Sequence, residues 1–422
     1  MKDYEILRNQ IKLNLLERLE YCEDMGDEEV FEMIMEEIVI VSKNLYIPLR
    51  VKEKLCKEVY YAVRKYDILQ ELMEDPTITE IMVNGPACIF IEKDGAIQKC
   101  KNSFSSAEKL EDIIQQIVAG SNRVVNESSP IVDARLENGS RVNVVLPPVA
   151  LNGPILTIRR FPERPIGINE LIEFGSLTKE VSDFLEKLVI SGYNIFISGG
   201  TGSGKTTLLN ALSGFIPKNE RIITIEDSAE LQIQGVDNLV RLETRNANVE
   251  DCRPITIRDL IKTSLRMRPD RIIVGEVRSA EAMDMVQALN TGHDGSLSTG
   301  HANSAKDMLY RLESMILMAV EIPLSAVRRQ IASGIDIIVH LGRLRDRSRK
   351  VMEIVEVTGF ENGEILTSRL YRFEEKGEDE NGKIVGCLEK EKDLRFTEKL
   401  RNAGYETEAK CNGLQDISFV CK

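Results

Sequence analysis

Apolar residues recur at helical intervals through the first 74 residues of this chain. Three stretches carry this pattern, at 6–19, 30–41 and 55–72. Acidic residues occupy many of the positions between the apolar ones, as on the solvated faces of helices. We therefore predict a small helical bundle over residues 1–74.

The pattern changes at Asp75 to short apolar runs separated by turns, which is typical of strands. The runs 78–83 and 89–92 flank an Asn-Gly-Pro turn, as neighbouring strands do. The next predicted elements are a helix over 106–120 and strands over 133–137, 141–146 and 156–161. Together these elements predict a small α+β domain over residues 75–161.

A stretch rich in proline and glycine follows at 161–167 and predicts a linker over residues 162–168. Beyond it, wholly apolar runs alternate with helical stretches through residues 169–373. The apolar runs predict buried strands at 222–225, 271–274 and 337–341. This alternation predicts a mostly parallel sheet with helices on both faces.

The last part of the chain, residues 374–422, is polar and charged. We predict a charged C-terminal extension there. Its segment 374–380 is almost entirely charged, so we expect it to be the most mobile part of the extension.

Composition narrows the class of protein. The chain has 422 residues, which predicts two or three domains, and its net charge of −13 argues against a duplex nucleic-acid partner. It contains no apolar run long enough to span a bilayer and begins without the apolar core of a secretory signal. Its eight cysteines are scattered without paired spacing, as in reduced proteins. These features predict a cytoplasmic protein.

The stretch GGTGSGKTT fits the P-loop pattern G-x-x-x-x-G-K-[ST]. An apolar run at 193–198 precedes it and a helical stretch at 206–215 follows it, which is the strand, loop and helix arrangement that phosphate binding requires. Lys205 is then expected to reach the β- and γ-phosphates, and the Thr206 hydroxyl to hold Mg²⁺. The predicted nucleotide-binding residues are Gly199, Gly200, Thr201, Gly202, Ser203, Gly204, Lys205, Thr206 and Thr207. An ordinary glycine-rich turn with an exposed lysine is the alternative.

The expected fold is thus α/β, with a RecA-like P-loop domain after the α+β domain and the helical bundle. Three carboxylates are placed near a bound triphosphate. Glu226 and Asp227 follow the apolar strand at 222–225 and would face the γ-phosphate. Glu276 follows the apolar strand at 271–274 in the manner of a Walker B residue, which makes it a candidate ligand for Mg²⁺. An exposed acidic turn is the alternative at each position.

Two of the three histidines, His293 and His301, fall within residues 291–303. The glycines there predict one loop ahead of a helix that begins near Ser304. Two histidines beside a triphosphate site favour a role in sensing or relaying the phosphate over a purely structural role. Zinc is not expected, because four nitrogen or sulfur ligands cannot be assembled locally.

The order GGTGSGKTT, ITIEDSAEL, RPDRIIVGEVR and TGHDGSLSTGHAN resembles the ATPases of type II secretion, type IV pilus and type IV secretion machines. The chain is most similar to the CpaF-type ATPases of tight-adherence pili. The resemblance covers roughly residues 75–373 and includes DPTITEIMVNGP, DARLENGSRVNVVLPP and LTIRRFPERP.

The resemblance implies a homohexameric cytoplasmic motor that uses ATP and Mg²⁺ and contacts a platform of proteins in the inner membrane. It assigns the water-activating role to Glu226, the Walker B role to Glu276 and the histidine of the family's histidine motif to His301. Arginines of the preceding domain approach the γ-phosphate in this family, and Arg141, Arg159 and Arg160 match them. The family's function is ATP hydrolysis coupled to pilus assembly or secretion.

Three alternatives stay open from sequence. A conjugative or DNA-uptake secretion ATPase would share every motif. A RecA-like nucleic-acid translocase is disfavoured by the acidic composition. A scaffold that binds ATP without turnover is disfavoured by the set of carboxylates.

Overall fold

The computed structural model describes most of the chain. The described residues are 2–19, 25–42, 47–93, 95–121, 123–161, 164–245, 253–380 and 382–406. They form two compact units, one containing the described residues up to 161 and the other those from 164 onwards. Part of the predicted linker, 162–163, and part of the predicted C-terminal extension, including 407–422, lie outside the described residues.

The first unit begins with four helices: α1 (Lys2–Leu19), α2 (Asp27–Val41), α3 (Leu49–Arg64) and α4 (Ile68–Glu74). The first three pack around one apolar core, in which Ile11, Leu15, Ile34, Ile38, Leu55 and Val59 are fully buried. The prediction of a single helix over 55–72 is wrong, because Asp67 has a positive φ of 51° that separates α3 from α4. Leu69, Leu72 and Met73 of α4 pack into the core of the following sheet.

That sheet has six strands, and one helix packs on it. Its elements are β1 (Ile78–Asn84), β2 (Ile89–Lys93), β3 (Ala96–Lys99), α5 (Ala107–Ala119), β4 (Ile131–Arg135), β5 (Arg141–Val145) and β6 (Ile155–Arg159). The strand order is β3-β2-β1-β6-β5-β4, and every neighbouring pair is antiparallel. Leu110, Ile113 and Ile117 of α5 are buried with the apolar side chains of these strands, which makes this part α+β.

The second unit is built on a nine-stranded sheet. Its elements up to the middle of the sheet are α6 (Ile168–Glu173), α7 (Lys179–Ile190), β7 (Ile195–Gly199), α8 (Lys205–Ser213), β8 (Ile222–Glu226), β9 (Leu239–Glu243), α9 (Ile257–Ser264), β10 (Arg271–Val274), α10 (Glu281–Leu289) and β11 (Leu297–Gly300). The remaining elements are α11 (Ala305–Ala319), α12 (Leu324–Gly334), β12 (Ile337–Arg343), β13 (Arg349–Glu361), β14 (Glu364–Glu378), β15 (Ile384–Lys390) and α13 (Glu398–Asn402).

The order in this sheet is β15-β14-β13-β12-β7-β11-β10-β8-β9. Pairing is parallel from β12 to β9 and antiparallel from β12 to β15. Alternate strand residues point to opposite faces, so Ile195 and Ile197 lie in a core with α7 and α8, while Phe196 lies in a core with α10, α11 and α12. The predicted parallel sheet with helices on both faces is therefore confirmed.

The prediction that residues 374–380 are mobile is wrong. Glu374 to Glu378 are the end of β14, and they pair with β15 in an antiparallel hairpin. The Arg345 guanidinium lies 2.6 Å from Glu375 and 2.8 Å from Glu378. It therefore neutralises two of the acidic side chains on which the prediction of mobility rested. In the described parts of the chain, none of the helices has both the length and the apolar character needed to cross a membrane.

Candidate active site

The P-loop residues lie at the carboxyl end of the central strand β7, whose five residues are all buried. The loop closes on itself, because the Ser203 hydroxyl donates a 2.8 Å hydrogen bond to the Gly200 carbonyl. A Cβ atom on Gly199 would lie 2.5 Å from that hydroxyl oxygen and 2.6 Å from the Leu341 carbonyl oxygen, so no side chain fits there. Gly204 has a φ of 94°, which favours glycine, and α8 begins at the next residue. Backbone N–H groups at the start of a helix such as α8 are able to bind an anion.

Lys205 is buried beside the loop. Its Nζ atom donates a 3.0 Å hydrogen bond to the Gly200 carbonyl and lies 3.3 Å from Nδ1 of His301. His301 follows β11, the strand that pairs with β7 in parallel, so both side chains are at the same edge of the sheet. The fold thus joins two sequence-predicted site residues that are 96 positions apart.

His301 connects Lys205 to Glu276. An ammonium group can only donate hydrogen bonds, so Nδ1 of His301 is the acceptor and the ring proton is assigned to Nε2. Nε2 lies 3.0 Å from Oε1 of Glu276. Burial and the nearby Lys205 charge lower the pKa of His301, which favours the neutral ring.

Glu276 is also paired with Arg278, a residue that the sequence motifs did not single out as part of the site. Nη2 of Arg278 lies 2.7 Å from Oε2 of Glu276, and Nη1 lies 3.5 Å from Oδ2 of Asp227. Burial alone would raise the pKa of Glu276, but the Arg278 hydrogen bond and the positive charges of Arg278 and Lys205 lower it. Glu276 is therefore held as a carboxylate, as a metal ligand must be.

Glu226 occupies a more enclosed position at the end of β8. Its Oε1 atom accepts hydrogen bonds from the backbone N–H groups of Glu230 and Leu231, at 2.7 and 2.9 Å. Its Oε2 atom is buried and has no hydrogen-bond partner among the described residues. Burial raises the pKa of Glu226 to about 7. This side chain therefore has one fixed oxygen and one that is available to a water or ligand.

A glycine makes the position of Glu226 possible. Gly275 follows β10 and packs directly against the side chain of Glu226, where a Cβ atom would lie 2.9 Å from Cγ of Glu226. Separations of this size are not observed for real Cβ atoms, so an alanine at 275 would displace the carboxylate. Gly275 therefore leaves room for the Glu226 carboxylate, and the next residue, Glu276, supplies the second carboxylate of the site.

His293 is not part of this cluster. The prediction of one continuous loop over 291–303 is wrong, because the stretch contains the strand β11. His293 precedes that strand and His301 follows it, so they are at opposite edges of the sheet. Nδ1 of His293 lies 3.2 Å from the Ala288 carbonyl oxygen, which is a structural contact. The helix predicted from Ser304 is observed, and the Ser304 hydroxyl caps it by accepting from Asp307 N–H.

The protein offers only a few oxygen ligands for Mg²⁺ beside the P-loop in the described residues. The Glu276 carboxylate and the Glu226 Oε2 atom are at the ends of neighbouring strands, and the half-buried Thr206 is in the first turn of α8. No group of three or more histidine, cysteine, aspartate or glutamate side chains able to hold a metal occurs in the described residues. This donor set fits Mg²⁺, which is usually held by one or two carboxylates together with the phosphates of a bound nucleotide.

The three predicted arginines are in the first unit and differ in their surroundings. Arg160 donates to the backbone carbonyls of Asp75 and Ile78, so its guanidinium fixes the start of β1. Arg159 is exposed and pairs across the sheet with Arg141, which in turn pairs with Arg135. Cross-strand partners share one face of a sheet, so Arg135, Arg141 and Arg159 form a row of three arginines on one face. Arg135 is a member that the motifs did not indicate.

A third arginine missed from sequence, Arg349, contacts the P-loop from outside. Its Nε donates a 2.8 Å hydrogen bond to the Gly202 carbonyl. Arg349 is the first residue of β13 and pairs with Arg343 across the hairpin from β12. On the other side of the loop, a cavity of about 540 Å³ opens beside Gly200, Thr201 and His301 and extends along α11. Open space therefore lies next to the P-loop at His301.

A family model for type II/IV secretion system proteins matches residues 63–394 of this chain. The chain belongs to this family. The resemblance drawn from the four motifs is thus confirmed at the level of the family, and the finer assignment to CpaF-type ATPases stays a prediction.

Relatives of this secretion-system chain come from bacteria and archaea. It is 40% identical over 284 residues to the uncharacterized protein MJ0781 of Methanocaldococcus jannaschii, a match that covers 64% of this chain but only 38% of MJ0781. It is 33% identical to the conjugal transfer protein TrbB of Rhizobium radiobacter, over 73% of this chain and 93% of TrbB. The fold of this chain is similar to that of the Yersinia pseudotuberculosis ATPase DotB, at 17% identity and a TM-score of 0.50, over 70% of this chain and 79% of DotB. The predicted fold class is confirmed by this similarity.

Proposed function

We propose that this chain is an ATP-hydrolysing motor of a type II/IV secretion machine. The observation that carries the proposal is the contact chain from Lys205 through His301 to Glu276, at the carboxyl ends of three neighbouring parallel strands. Ligands of open α/β sheets bind at such strand ends. The P-loop supplies backbone N–H groups for phosphates at the same place, so one compact site can hold the triphosphate and act on it.

The chemistry that fits these residues is attack of water on the γ-phosphate. Such reactions are catalysed mostly by positioning and by neutralising charge. Lys205 would turn from the Gly200 carbonyl to the phosphates. Glu226 would orient the attacking water through Oε2, because Oε1 is already fixed by two backbone N–H groups.

The Thr206 hydroxyl would hold Mg²⁺, and the Glu276 carboxylate would lie on the same side of the site as the ion. When bound, it would neutralise charge on the phosphate oxygens. His301 would link the lysine that faces the phosphate to the carboxylate that faces the metal, and it could register the loss of the γ-phosphate through either contact. Each of these roles is a proposal about this chain's own residues.

Arginines from the first unit complete the proposed mechanism. Arg141 and Arg159 are the better candidates to approach the γ-phosphate, since Arg160 is engaged with backbone carbonyls. An arginine in this role contributes roughly 10³–10⁵ in rate in other nucleotide hydrolases. We propose that Arg141 and Arg159 supply positive charge to the γ-phosphate during hydrolysis.

The proposed assembly is a homohexamer in the cytoplasm, bound at the inner face of the cell membrane to a platform of membrane proteins. Two supporting features are the family membership and the finding on membrane helices given above. We do not expect a nucleic-acid partner, because the net charge is −13. Addition of plasmid DNA should therefore leave the hydrolysis rate unchanged.

Two cellular roles fit the same chemistry. The motif set favours assembly of a tight-adherence pilus, and the TrbB relative favours conjugal transfer. The genes next to this one would separate them, because a pilus motor should lie beside prepilin genes. A deletion strain that lost surface pili but kept plasmid transfer would favour the pilus role, and the reverse phenotype would favour conjugation.

The test of the enzymatic proposal compares three proteins. The full chain should bind and hydrolyse Mg-ATP, and the variant Lys205→Ala should lose nucleotide binding. Lys179→Ala is the matched control, because Lys179 is an exposed lysine that pairs with Asp183 within its own helix. Absence of phosphate release from the full chain in its hexameric form would contradict the proposal, whereas tight ATP binding without turnover would favour a nucleotide-gated scaffold.

A further inference from the structure

Arg278 lies between two carboxylates that end neighbouring strands. Its guanidinium is 2.7 Å from Glu276, which follows β10, and 3.5 Å from Asp227, which follows β8. Its backbone N–H donates a 2.6 Å hydrogen bond to the Glu281 carboxylate at the start of α10, which fixes the base of the side chain. The side chain itself is about half exposed, with 53% of its surface accessible. It is therefore held at its base and able to swing at its end.

The two oxygens of Glu276 differ in their surroundings. Oε1 lies 3.0 Å from Nε2 of His301 but is buried and has no hydrogen-bond partner among the described residues, whereas Oε2 lies 2.7 Å from the positive guanidinium of Arg278. Because Oε1 is buried, a divalent cation that binds on the Glu276 side competes with Arg278 for Oε2. The guanidinium is the weaker competitor for a carboxylate, since Mg²⁺ carries twice its charge in a smaller volume. Arg278 is thus the contact that Mg²⁺ would replace.

The Asp227 carboxylate is a second pairing position for the displaced Arg278 guanidinium. Asp227 is fixed in place, because its Oδ1 atom accepts a 2.9 Å hydrogen bond from the Thr244 hydroxyl while its Oδ2 atom already faces Arg278. Movement from Glu276 to Asp227 keeps Arg278 paired with a carboxylate. The cost of leaving Glu276 is therefore partly offset.

We propose that Arg278 is a counter-ion that occupies Glu276 in the nucleotide-free chain and transfers to Asp227 when Mg²⁺ and nucleotide bind. The proposal rests on the proposed nucleotide-binding function and deepens it. Arg278 is in this sense a positioning residue: it holds the Glu276 carboxylate in place and raises the concentration of Mg²⁺ that the site requires. Metal binding then moves a side chain at the ends of both β8 and β10.

The experiment measures how nucleotide binding depends on Mg²⁺ in the full chain. A fluorescent, non-hydrolysable ATP analogue is titrated with Mg²⁺, and the half-saturating concentration is compared with binding in EDTA. Arg278→Gln should lower the half-saturating Mg²⁺ concentration by about tenfold, because one competing positive charge is removed. Arg278→Lys keeps the charge and should stay within about twofold of the unmodified chain, which also shows that substitution at 278 permits folding.

A double-mutant cycle tests the transfer step. Asp227→Asn should raise the Mg²⁺ requirement about threefold in the unmodified chain, because the displaced guanidinium then has no anionic partner. The same substitution should have little effect in the Arg278→Gln background, where no guanidinium is displaced. Arg329→Gln is the matched control, since Arg329 is an exposed arginine that lies over the Phe360 ring.

The outcomes separate this proposal from the proposed function. An unchanged or increased Mg²⁺ requirement in Arg278→Gln would overturn the counter-ion role, and so would weaker binding in EDTA, which would indicate a direct phosphate contact. Equal effects of Asp227→Asn in both backgrounds would overturn the transfer step. If the unmodified chain binds no analogue at any Mg²⁺ concentration, the nucleotide function itself fails.

Discussion

The Glu226 carboxylate has one fixed oxygen and one uncommitted oxygen. Two backbone N–H groups hold Oε1, and the buried Oε2 has no hydrogen-bond partner in the described part of the chain. The first prediction is that Glu226→Gln retains Mg-ATP binding and lowers turnover by about 10² or more, because an amide keeps the shape but cannot accept a proton. Paired measurements of the nucleotide Kd and of phosphate release check it. Loss of binding with intact turnover per bound nucleotide would instead assign the metal role to Glu226.

Gly275 gives a second prediction at the same scale. The variant Gly275→Ala should lower turnover by about tenfold to a hundredfold, because the new Cβ would lie 2.9 Å from Cγ of Glu226 and displace its carboxylate. Nucleotide binding should change little, since Gly275 is outside the P-loop. Steady-state hydrolysis and an equilibrium titration measure the two effects. Gly120→Ala serves as the control, because a Cβ there makes only ordinary contacts of 3.6 Å.

The hairpin of β12 and β13 is the element that supports the P-loop. β12 pairs with β7 up to Leu341 and Gly199, so the hairpin runs alongside the loop, and Arg349 donates to the Gly202 carbonyl. The turn of this hairpin is in turn held by the hairpin of β14 and β15, through Arg345 and through Asp346, which accepts the Ile384 N–H at 2.8 Å. The charged segment near the C-terminus is therefore connected to the P-loop through two neighbouring hairpins of the same sheet.

The third prediction concerns this support. Arg349→Ala should weaken nucleotide binding by about 3- to 10-fold, the amount expected for one hydrogen bond that holds the loop. Arg345→Ala is the matched control in the same hairpin, because Arg345 contacts Glu375 and Glu378 and not the loop. The nucleotide Kd of each variant, with thermal melting as a measure of folding, decides between them. Equal losses of affinity would show that the hairpin acts as a whole and that the Gly202 contact has no separate role.

At the scale of the molecule, the question is how the first unit contributes to catalysis. Arg141 and Arg159 are cross-strand partners on one face, whereas Arg160 binds backbone carbonyls at the start of β1. The fourth prediction is that Arg141→Ala and Arg159→Ala lower turnover at least tenfold without lowering the melting temperature, as expected for groups that stabilise charge on the phosphate. Arg160→Ala should lower the melting temperature instead, because the Asp75 and Ile78 carbonyls at the start of β1 each lose a hydrogen bond.

Phosphate release and thermal melting of the three variants provide the test. The proposed role of these arginines would be contradicted if Arg141→Ala, Arg159→Ala and the double variant all hydrolysed ATP at the unmodified rate. A lower rate for Arg160→Ala alone would return that residue to the catalytic set.

Several features could be predicted from sequence because they depend on neighbouring residues. The P-loop is a contiguous motif whose glycines and lysine are fixed by local backbone geometry, and the strands and helices around it follow from apolar periodicity. Glu226 and Glu276 could be placed at strand ends for the same reason. Local rules failed where a charged segment gained a distant partner, as Glu375 did from Arg345, and where one residue interrupted a helix, as Asp67 did.

The tertiary structure decided which of these elements meet. The strand order β12-β7-β11-β10-β8 places the ends of five strands from different parts of the sequence at one edge, and this order is set by how helices pack on the two faces of the sheet. It brings His301 to Lys205 and leaves His293 at the other edge, although both are in one sequence motif. Arg278 meets Asp227 and Arg349 meets the Gly202 carbonyl only through this packing, since each of these partners follows a different strand. The sequence by itself determined the phosphate-binding loop and the carboxylates, and the pairing of strands determined which charged groups surround them.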